Sequence, residues 1–356
     1  AGWDCHGLPV EVQIEKKLGL NSKKDILKFG EKKFIKECKE SVFSYIQSWN
    51  KSTEKLNYWI DLENRYATLD NNYIESIWWS LKELYNKKLL YESHKVVPFC
   101  PRCETPLSSH EVAQGYKNIK EESVYIKFEI LGKKDEYILA WTTTPWTLPG
   151  NVGLAVGKDI DYVKIKLDNG EKFIIGKDRL NVIEEEYKIL EEIKGEKLEG
   201  IKYKPLFDIK EAQNNNSHKI FTADFVTTTD GTGIVHTAVM YGEDDYEVGL
   251  KIGLPQVHTV GEDGKFLDIV PKYKGLFVKH AEKGIKQELK ERNLLYKTEQ
   301  ISHDYPFCWR CDSPLLYYAI KSWFIKVTAK KERLIELNKE INWVPKHIKE
   351  GRFGEW

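Results

Sequence analysis

The sequence predicts a multidomain α/β protein in which a β-rich, barrel-like domain interrupts a mainly helical one. Three observations carry that expectation. Two stretches far apart in the chain are nearly the same sequence, Pro98-Phe-Cys-Pro-Arg-Cys-Glu-Thr-Pro-Leu107 and Pro306-Phe-Cys-Trp-Arg-Cys-Asp-Ser-Pro-Leu315. Before the first stretch, apolar residues recur at helical spacing; after it, they alternate with polar ones.

Each Cys-x-x-Cys can wrap two thiolates around one ion in a tight knuckle. Cys100, Cys103, Cys308 and Cys311 therefore offer the four sulfurs of a closed, tetrahedral Zn2+ site, a zinc-ribbon-like junction. Residues 104 to 307 separate the two halves, so a shared ion requires the chain to leave one knuckle, build a body of domain size and return to the other. The competing reading is two unrelated thiol pairs or two disulfides. A Cys-x-x-Cys disulfide closes too small a loop to stabilise much, and nothing in the sequence points to secretion. The motif thus marks the two feet of an insert. Residues 1–122 form the leading part with the first knuckle, 123–300 the insert, and 301–356 the second knuckle and the return.

In the leading part, Phe34, Cys38, Val42, Tyr45, Ile46 and Trp49 fall on one face of a helix, and Tyr73, Ile74, Ile77, Trp78, Leu81, Leu84 and Tyr85 do the same further on. Core packing is a sufficient reading of both stripes, and it makes Cys38 a buried packing residue. In the insert, Val124, Ile126, Phe128 and Ile130 alternate, as do Val163, Ile165 and Leu167, and Phe173-Ile-Ile175 follows an Asp168-Asn-Gly170 turn. Turn signals recur at 131–134, 149–151, 230–233 and 262–264, which suits a barrel or a strongly bent sheet. Gln213-Asn-Asn-Asn-Ser217 reads as a surface loop, and a helix near 279–293 closes the insert. Past the second knuckle, strands are expected at 316–320 and 323–327, then a charged helix over 329–340.

With 356 residues, 41% hydrophobic and 12% aromatic content, the chain is long enough for two or three real cores. Lys plus Arg equals Asp plus Glu at 55 each, so no global basic field announces a nucleic acid, and a polyanion would have to be read by local patches. No apolar run approaches the ~20 residues of a membrane span, and no signal peptide is seen. The expectation is a soluble, cytoplasmic chain with no membrane partner, and one that is a piece of a longer protein.

Two segments of the insert bear on chemistry. Trp141-Thr-Thr-Thr-Pro-Trp-Thr-Leu-Pro149 sets three hydroxyls, Thr142, Thr143 and Thr144, before a proline that biases Thr144 to an extended backbone. Threonine runs are ordinarily strand, so this segment is weak evidence alone. Gly231-Thr-Gly-Ile-Val-His236 feeds a short apolar strand into a histidine, and Asp245 follows in an acidic turn. From spacing, His236 and Asp245 fit a base, a metal site or a surface pair equally. No serine- or cysteine-type triad is indicated, and the inventory suits a hydrolase that directs water. At the amino end, Asp4 in Gly2-Trp-Asp-Cys-His-Gly-Leu-Pro9 serves either as a helix cap or as the holder of a cationic ligand.

These segments together resemble the isoleucyl-tRNA synthetases of class I. The likeness rests on residues 2–9, 141–149, 231–236 and Gly-Glu-Asp-Asp-Tyr at 242–246, with the knuckles and Gly-Arg-Phe-Gly at 351–354. Cys5-His6 after Trp-Asp favours the isoleucine branch over its valine and leucine relatives, which remain the alternative, along with a non-catalytic zinc-ribbon module that binds RNA. The resemblance implies a Rossmann-type catalytic domain interrupted by an editing domain. It implies tRNA(Ile), isoleucine and valine as partners, a monomer, a structural zinc on the four cysteines, and ATP with Mg2+ for the full-length enzyme only. Asp4 would hold the α-amino group of isoleucine. Thr142, Thr143, Thr144 and His236 would shape the editing pocket, and Asp245 would anchor the ammonium of the wrong amino acid.

An apolar pocket gains only ~1 to 3 kcal/mol from one methylene, a limit for which the isoleucine enzymes are themselves the usual illustration. A second pocket that admits valine and excludes isoleucine removes the error, and threonines, stiff at χ1, suit such a wall. The chain departs from the family where Val239 and Met240 follow Ala238, a place usually held by proline, which bears on His236 more than on Asp245. Neither a His-x-Gly-His nor a Lys-Met-Ser-Lys-Ser signature occurs in residues 1 to 356, so the expected activity of the fragment is hydrolytic.

Overall fold

The computed structural model describes residues 1–355 and falls into two compact units, Ala1–His94 with the chain from Lys321 onward, and Lys95–Ile320. In the first unit, Gly2–Trp3 and Tyr66–Ala67 form a two-residue parallel pair. Helices run at Leu8–Leu18, Lys23–Phe29, Glu31–Lys55, Asn71–Asn86 and Lys331–Glu340. The first begins with Pro9 in its first turn and ends on Gly19 at φ 70°, where a side chain would be strained. The second is capped by the Ser22 hydroxyl, which accepts from the Asp25 N–H.

One open reading for this unit is decided and one expectation corrected. Of the two readings of Asp4, the cap falls away: Gly7 occupies the N-cap of the first helix, at a φ of 97°, and no side chain caps it. The aromatic stripes are not uniformly core. Phe34, Val42 and Ile46 are buried, with Cys5, Ala67 and the shorter helices covering that half of the stripe. Tyr45 and Trp49 stay 53% and 61% exposed, and Asn71–Asn86 buries none of its residues. The spacing did predict both helices; what lies against a helix face is a tertiary matter that spacing does not encode. Cys38 is half-buried rather than buried.

The second unit is built on a nine-stranded mixed sheet. Its order is Tyr187–Lys194, Asp161–Leu167, Lys172–Gly176, Glu136–Thr142, Ile234–Thr237, Gly153–Val156, Ile220–Thr222. Tyr116–Glu129 joins the sheet on Glu136–Thr142 and carries Leu295–Pro306 on its other edge. Strand Glu136–Thr142 divides the sheet: its first residues pair parallel with Lys172–Gly176, while Trp141 pairs with Val235 further along. The sheet therefore bends and branches. It does not close, because Tyr187–Lys194 and Ile220–Thr222 end the order without meeting, so of the two expected forms it is the strongly bent sheet, an open half-barrel, rather than a closed barrel.

Helix Val278–Glu291 covers this sheet with Val278, Ala281, Ile285 and Leu289, the three- and four-residue steps of one helical face, joining a core that includes Phe128, Ile138, Leu154 and Tyr162. The Asp168-Asn-Gly170 turn appears as expected, with Gly170 at φ 94° between strands Asp161–Leu167 and Lys172–Gly176. Two strands expected at 316–320 and 323–327 are one, Leu316–Ile325.

The Gln213–Ser217 run is more than a surface loop. Asn216 Nδ2 donates to the Ile252 carbonyl and Asn214 Nδ2 to the Gly253 carbonyl, each at 2.9 Å. These amides satisfy carbonyls left open where helix Glu243–Ile252 ends, and that helix carries Asp245.

The long ribbon positions everything at the base of this unit. Tyr116–Glu129 and Leu295–Pro306 pair antiparallel down to Tyr116 opposite Pro306, and the Phe307 N–H donates to the Gly115 carbonyl at 2.9 Å. Gly115 tolerates no side chain: a Cβ there would lie 1.9 Å from the Phe307 carbonyl oxygen. Gly115→Ala is expected to destabilise the fold by about 1–3 kcal/mol, as overpacking does, read as a lowered urea midpoint at unchanged m-value.

Candidate functional site

Thr142 is the last residue of strand Glu136–Thr142, and the chain then enters a buried 3₁₀ turn, Pro145–Gly150. Threonine-rich sequence favours strand, yet the strand stops here because Pro145 has no N–H to donate. The turn holds itself with side chains. Thr147 Oγ1 donates to the Thr144 carbonyl at 2.8 Å, the Thr144 N–H donates to Thr142 Oγ1 at 3.1 Å, and the Thr142 and Thr144 hydroxyls lie 3.2 Å apart.

His236 comes from strand Ile234–Thr237, which pairs with Gly153–Val156 and so meets the turn from the side. Its Nε2 lies 2.9 Å from Thr147 Oγ1 and its Nδ1 lies 2.8 Å from Asn151 Nδ2. Asn151 also donates to the Gly153 carbonyl at 2.9 Å and accepts from the Tyr203 hydroxyl at 2.7 Å. Burial pushes His236 down to about 3, so the ring is neutral at any ordinary pH. The glycines before it are required. Gly231 and Gly233 sit at φ 64° and 73°, and a Cβ on Gly231 would meet the Trp141 ring at 2.7 Å.

A cleft of about 240 Å³ opens here, lined among others by Trp141, Thr142, Thr143, Asp230, Gly231 and His236. Thr144 and Asp245 do not line it. Thr144 belongs instead to the hydroxyl chain behind Thr142. Trp141 Nε1 is buried without a hydrogen-bond partner.

Asp245 lies in the first turn of helix Glu243–Ile252, and its Oδ2 accepts from the Ala238 N–H at 2.8 Å, two residues past His236. Burial pushes its carboxyl up to about 6; the Ala238 hydrogen bond opposes this and neighbouring Asp244 adds to it. Val239 and Met240 are both buried; Val239 packs on Gly249, where a Cβ would approach it to 2.6 Å. His236 and Asp245 do not touch each other; Ala238 connects them through the backbone.

At the ribbon's foot the four cysteines come together. The Sγ atoms of Cys100, Cys103, Cys308 and Cys311 all lie within 4.8 Å of one another, with Cys100 and Cys311 at 3.5 Å and no disulfide formed. A tetrahedron of ~2.3 Å metal–sulfur bonds has edges of roughly 3.8 Å, so the set fits one four-coordinate ion. Leu107, Val112 and Leu315 pack around it. The repeated acid after each knuckle has a geometric role: Glu104 and Asp312 both adopt the left-handed conformation, at φ 49° and 62°. Asp4 stands in the first unit, exposed, with the Thr68 hydroxyl 3.4 Å from its Oδ1.

Three site residues escaped the sequence reading. Thr147 and Asn151 come shortly after the threonine triplet, one within the buried turn Pro145–Gly150 and one at its end, and that turn, which aims them, is the signal that was missed. Tyr203, beyond four intervening strands, gave none.

The whole chain, residues 1–356, matches the family model of the tRNA synthetases class I (I, L, M and V). The chain belongs to this family. Similar curated proteins bear out the same branch. The isoleucine–tRNA ligase of Clostridium acetobutylicum is 53% identical over 356 residues, all of this chain and 34% of that protein. That of Dehalococcoides mccartyi (strain CBDB1) is 49% identical over 389 residues, all of this chain and 38% of that protein. This synthetase chain therefore spans about a third of the length of the curated relatives it matches. Among solved structures, the P. falciparum cytosolic leucyl-tRNA synthetase editing domain is similar at TM-score 0.38 and 13% identity, covering 50% of this chain and 99% of that one. No helix among the described residues is long and apolar enough to cross a membrane.

The folded state holds His236 neutral to about pH 3, whereas an unfolded histidine takes a proton near 6.5. The unfolded chain therefore gains a proton first as pH falls, and stability is lost below about pH 6.5, by about 2 kcal/mol at pH 5 from this group alone. Asp245 contributes with the opposite sign, since its folded carboxyl protonates before the unfolded one. Urea midpoints at pH 7 and pH 5 are expected to differ less in His236→Gln than in the unsubstituted protein; equal differences would mean that the ring is not held neutral.

Proposed function

We propose that this chain is the editing-bearing part of an isoleucine–tRNA ligase. In this reading the Lys95–Ile320 unit hydrolyses valine wrongly esterified to tRNA(Ile), or misactivated valine, by attack of water. The full-length enzyme would activate isoleucine with ATP and Mg2+ and transfer it to tRNA(Ile); the name of the C. acetobutylicum relative, an isoleucine–tRNA ligase, supports the joining of isoleucine to tRNA.

The observation that carries the reading is the cleft in which Thr142 and Thr143 meet a neutral His236 whose two ring nitrogens are both engaged. Such a site has hydroxyl and imidazole walls rather than an activated nucleophile. A water placed against those walls attacks the ester carbonyl, and the ribose oxygen of the terminal adenosine leaves with a proton. The wall excludes the longer side chain by bulk. Asp245 is assigned the substrate ammonium: it lies outside the lining of the cleft, two residues' reach from His236 through the Ala238 N–H that its Oδ2 accepts, and its second oxygen is the one assigned to the ligand.

Zinc is assigned to Cys100, Cys103, Cys308 and Cys311. All four positions would be filled by sulfur, which leaves none open for substrate and makes the ion a structural one. Asp4 is assigned the α-amino group of isoleucine in the synthetic reaction of the longer protein.

The decisive assay is hydrolysis of Val-tRNA(Ile) against Ile-tRNA(Ile), with metal analysis of the same sample. Valine should be released much faster than isoleucine, and equal rates would overturn the reading. Asp245→Ala is expected to lose at least ~100-fold in kcat/KM, in line with removing a charged anchor, at one zinc per chain. Because ammonium recognition needs the ionised carboxylate, kcat/KM should fall as pH drops through about 6, the value to which burial raises Asp245, and a flat profile from pH 8 to 5 would remove Asp245 from that role. Cys308→Ser should lower bound zinc and expose the ribbon's foot to protease before it affects hydrolysis.

A further inference from the structure

The hydrogen bonds around His236 have a direction, and the direction can be read from groups whose roles are chemically fixed. A backbone carbonyl only accepts. The Gly153 carbonyl therefore fixes which end of the Asn151 side chain is the NH2, since Nδ2 donates to it at 2.9 Å. The Tyr203 hydroxyl donates to the other end, Oδ1, at 2.7 Å. Asn151 then has one N–H left, and it points at His236 Nδ1, 2.8 Å away. Nδ1 must be the bare nitrogen. The ring proton sits on Nε2 and is donated to Thr147 Oγ1 at 2.9 Å.

The chain continues on the cleft side. Thr147 gives its own hydrogen to the Thr144 carbonyl at 2.8 Å, so toward Thr144 Oγ1, at 3.4 Å, it can only accept. Thr144 Oγ1 thus donates to Thr147 and accepts from Thr142 Oγ1 at 3.2 Å. Thr142 Oγ1 also receives the Thr144 N–H at 3.1 Å. With its hydrogen spent, the Thr142 hydroxyl turns a lone pair toward the cleft it lines.

We propose that Tyr203 is a positioning residue for the cleft: together with the Gly153 carbonyl it holds Asn151, and through Asn151 it keeps His236 as the Nε2–H tautomer, which through Thr147 and Thr144 leaves Thr142 presenting an acceptor to the substrate. The proposal deepens the deacylase reading and rests on it for its kinetic part. An acceptor at Thr142 orders a water by one of its hydrogens and so turns the water's own lone pair elsewhere. It also denies His236 the part of general base, because neither ring nitrogen is both bare and free.

Tyr203 is suited to this by its burial. It is 2% exposed, its ring meets Phe128 edge-on at 5.2 Å and His218 edge-on at 5.7 Å, and its own N–H donates to the His218 carbonyl. A hydroxyl held this way has no water to turn to. Removing it leaves Asn151 Oδ1 buried without a donor, which weakens the hold on the amide.

The test is nitrogen-15 NMR of the histidine-labelled protein, with deacylation kinetics on the same preparations. His236 should show a protonated Nε2 and a bare Nδ1, unchanged from pH 8 to pH 5. A protonated Nδ1 in the unsubstituted protein would overturn the proposal whatever the activity. In Tyr203→Phe, a second His236 signal set should appear, and kcat on Val-tRNA(Ile) should fall about tenfold with KM within about twofold, the pattern of lost alignment rather than lost binding. Unchanged signals and unchanged kcat would equally overturn it. Asn151→Asp gives a second route: an acceptor in place of the donor should bring a proton to Nδ1, and a ring whose Nδ1 stays bare beside that carboxylate would refute the ordering. If the Nε2–H tautomer is found but no valine is released by any form, the ordered network stands and the deacylase reading is what fails.

Discussion

The antiparallel pairing of Tyr116–Glu129 with Leu295–Pro306 is the constraint on which the rest of the second unit depends. These two strands are the way out of the first knuckle and the way back to the second. Their register decides that Gly115 faces Phe307, and through that contact which sulfurs can meet. It also decides where Glu136–Thr142 can attach, because that strand pairs with the far half of Tyr116–Glu129 and places Thr142 opposite Val124. A slip by one residue would turn every side chain to the other face. Core packing supplies most of the stability, but the register gives that core its location.

Above the ribbon, the cleft shows a local sequence conflict resolved in favour of the site. Three threonines followed by proline satisfy neither strand nor helix. The chain breaks its strand at Thr142 and folds into a 3₁₀ turn whose hydroxyls replace the missing backbone bonds. Of the hydroxyls joined in this way, that of Thr142 lines the cleft. Gly231 and Gly233 play the matching part on the opposing segment, where their left-handed backbone lets the chain run close against Trp141 before it reaches His236. The left-handed backbone at Gly231 and Gly233 and the lining of the candidate cleft coincide.

What could be read from the sequence divides along physical lines. Period-two alternation located the strands around Val124–Ile130, Val163–Leu167 and Phe173–Ile175, because a half-buried strand must alternate. The cysteine spacing announced the four-sulfur cluster, since a knuckle is a local object written in six residues. The half-barrel's failure to close was not legible, because closure depends on whether Tyr187–Lys194 meets Ile220–Thr222, and no local pattern records that. The exposed halves of the aromatic stripes were misjudged for a similar reason: periodicity gives a face and not its cover. Tyr203 is the clearest case, a tyrosine with no motif around it whose importance lies wholly in which buried amide it reaches. The asparagine run at 214–216 was read as idle, since a side chain that caps a distant helix looks the same in sequence as one facing water.

The two knuckles carry a consequence for the order of events as the chain is made. Cys100 and Cys103 emerge early, and Cys308 and Cys311 only after the whole sheet and helix Val278–Glu291 have been synthesised. Until then the first pair is a half-built site. Four sulfurs converge only when Leu295–Pro306 has found its partner strand, a contact between residues very distant in sequence and therefore among the last to form. Completion of the cluster thus reports that the two ribbon strands have paired. A nascent chain stalled or misfolded anywhere between the knuckles keeps two thiols exposed, which makes it chemically distinguishable from a finished one.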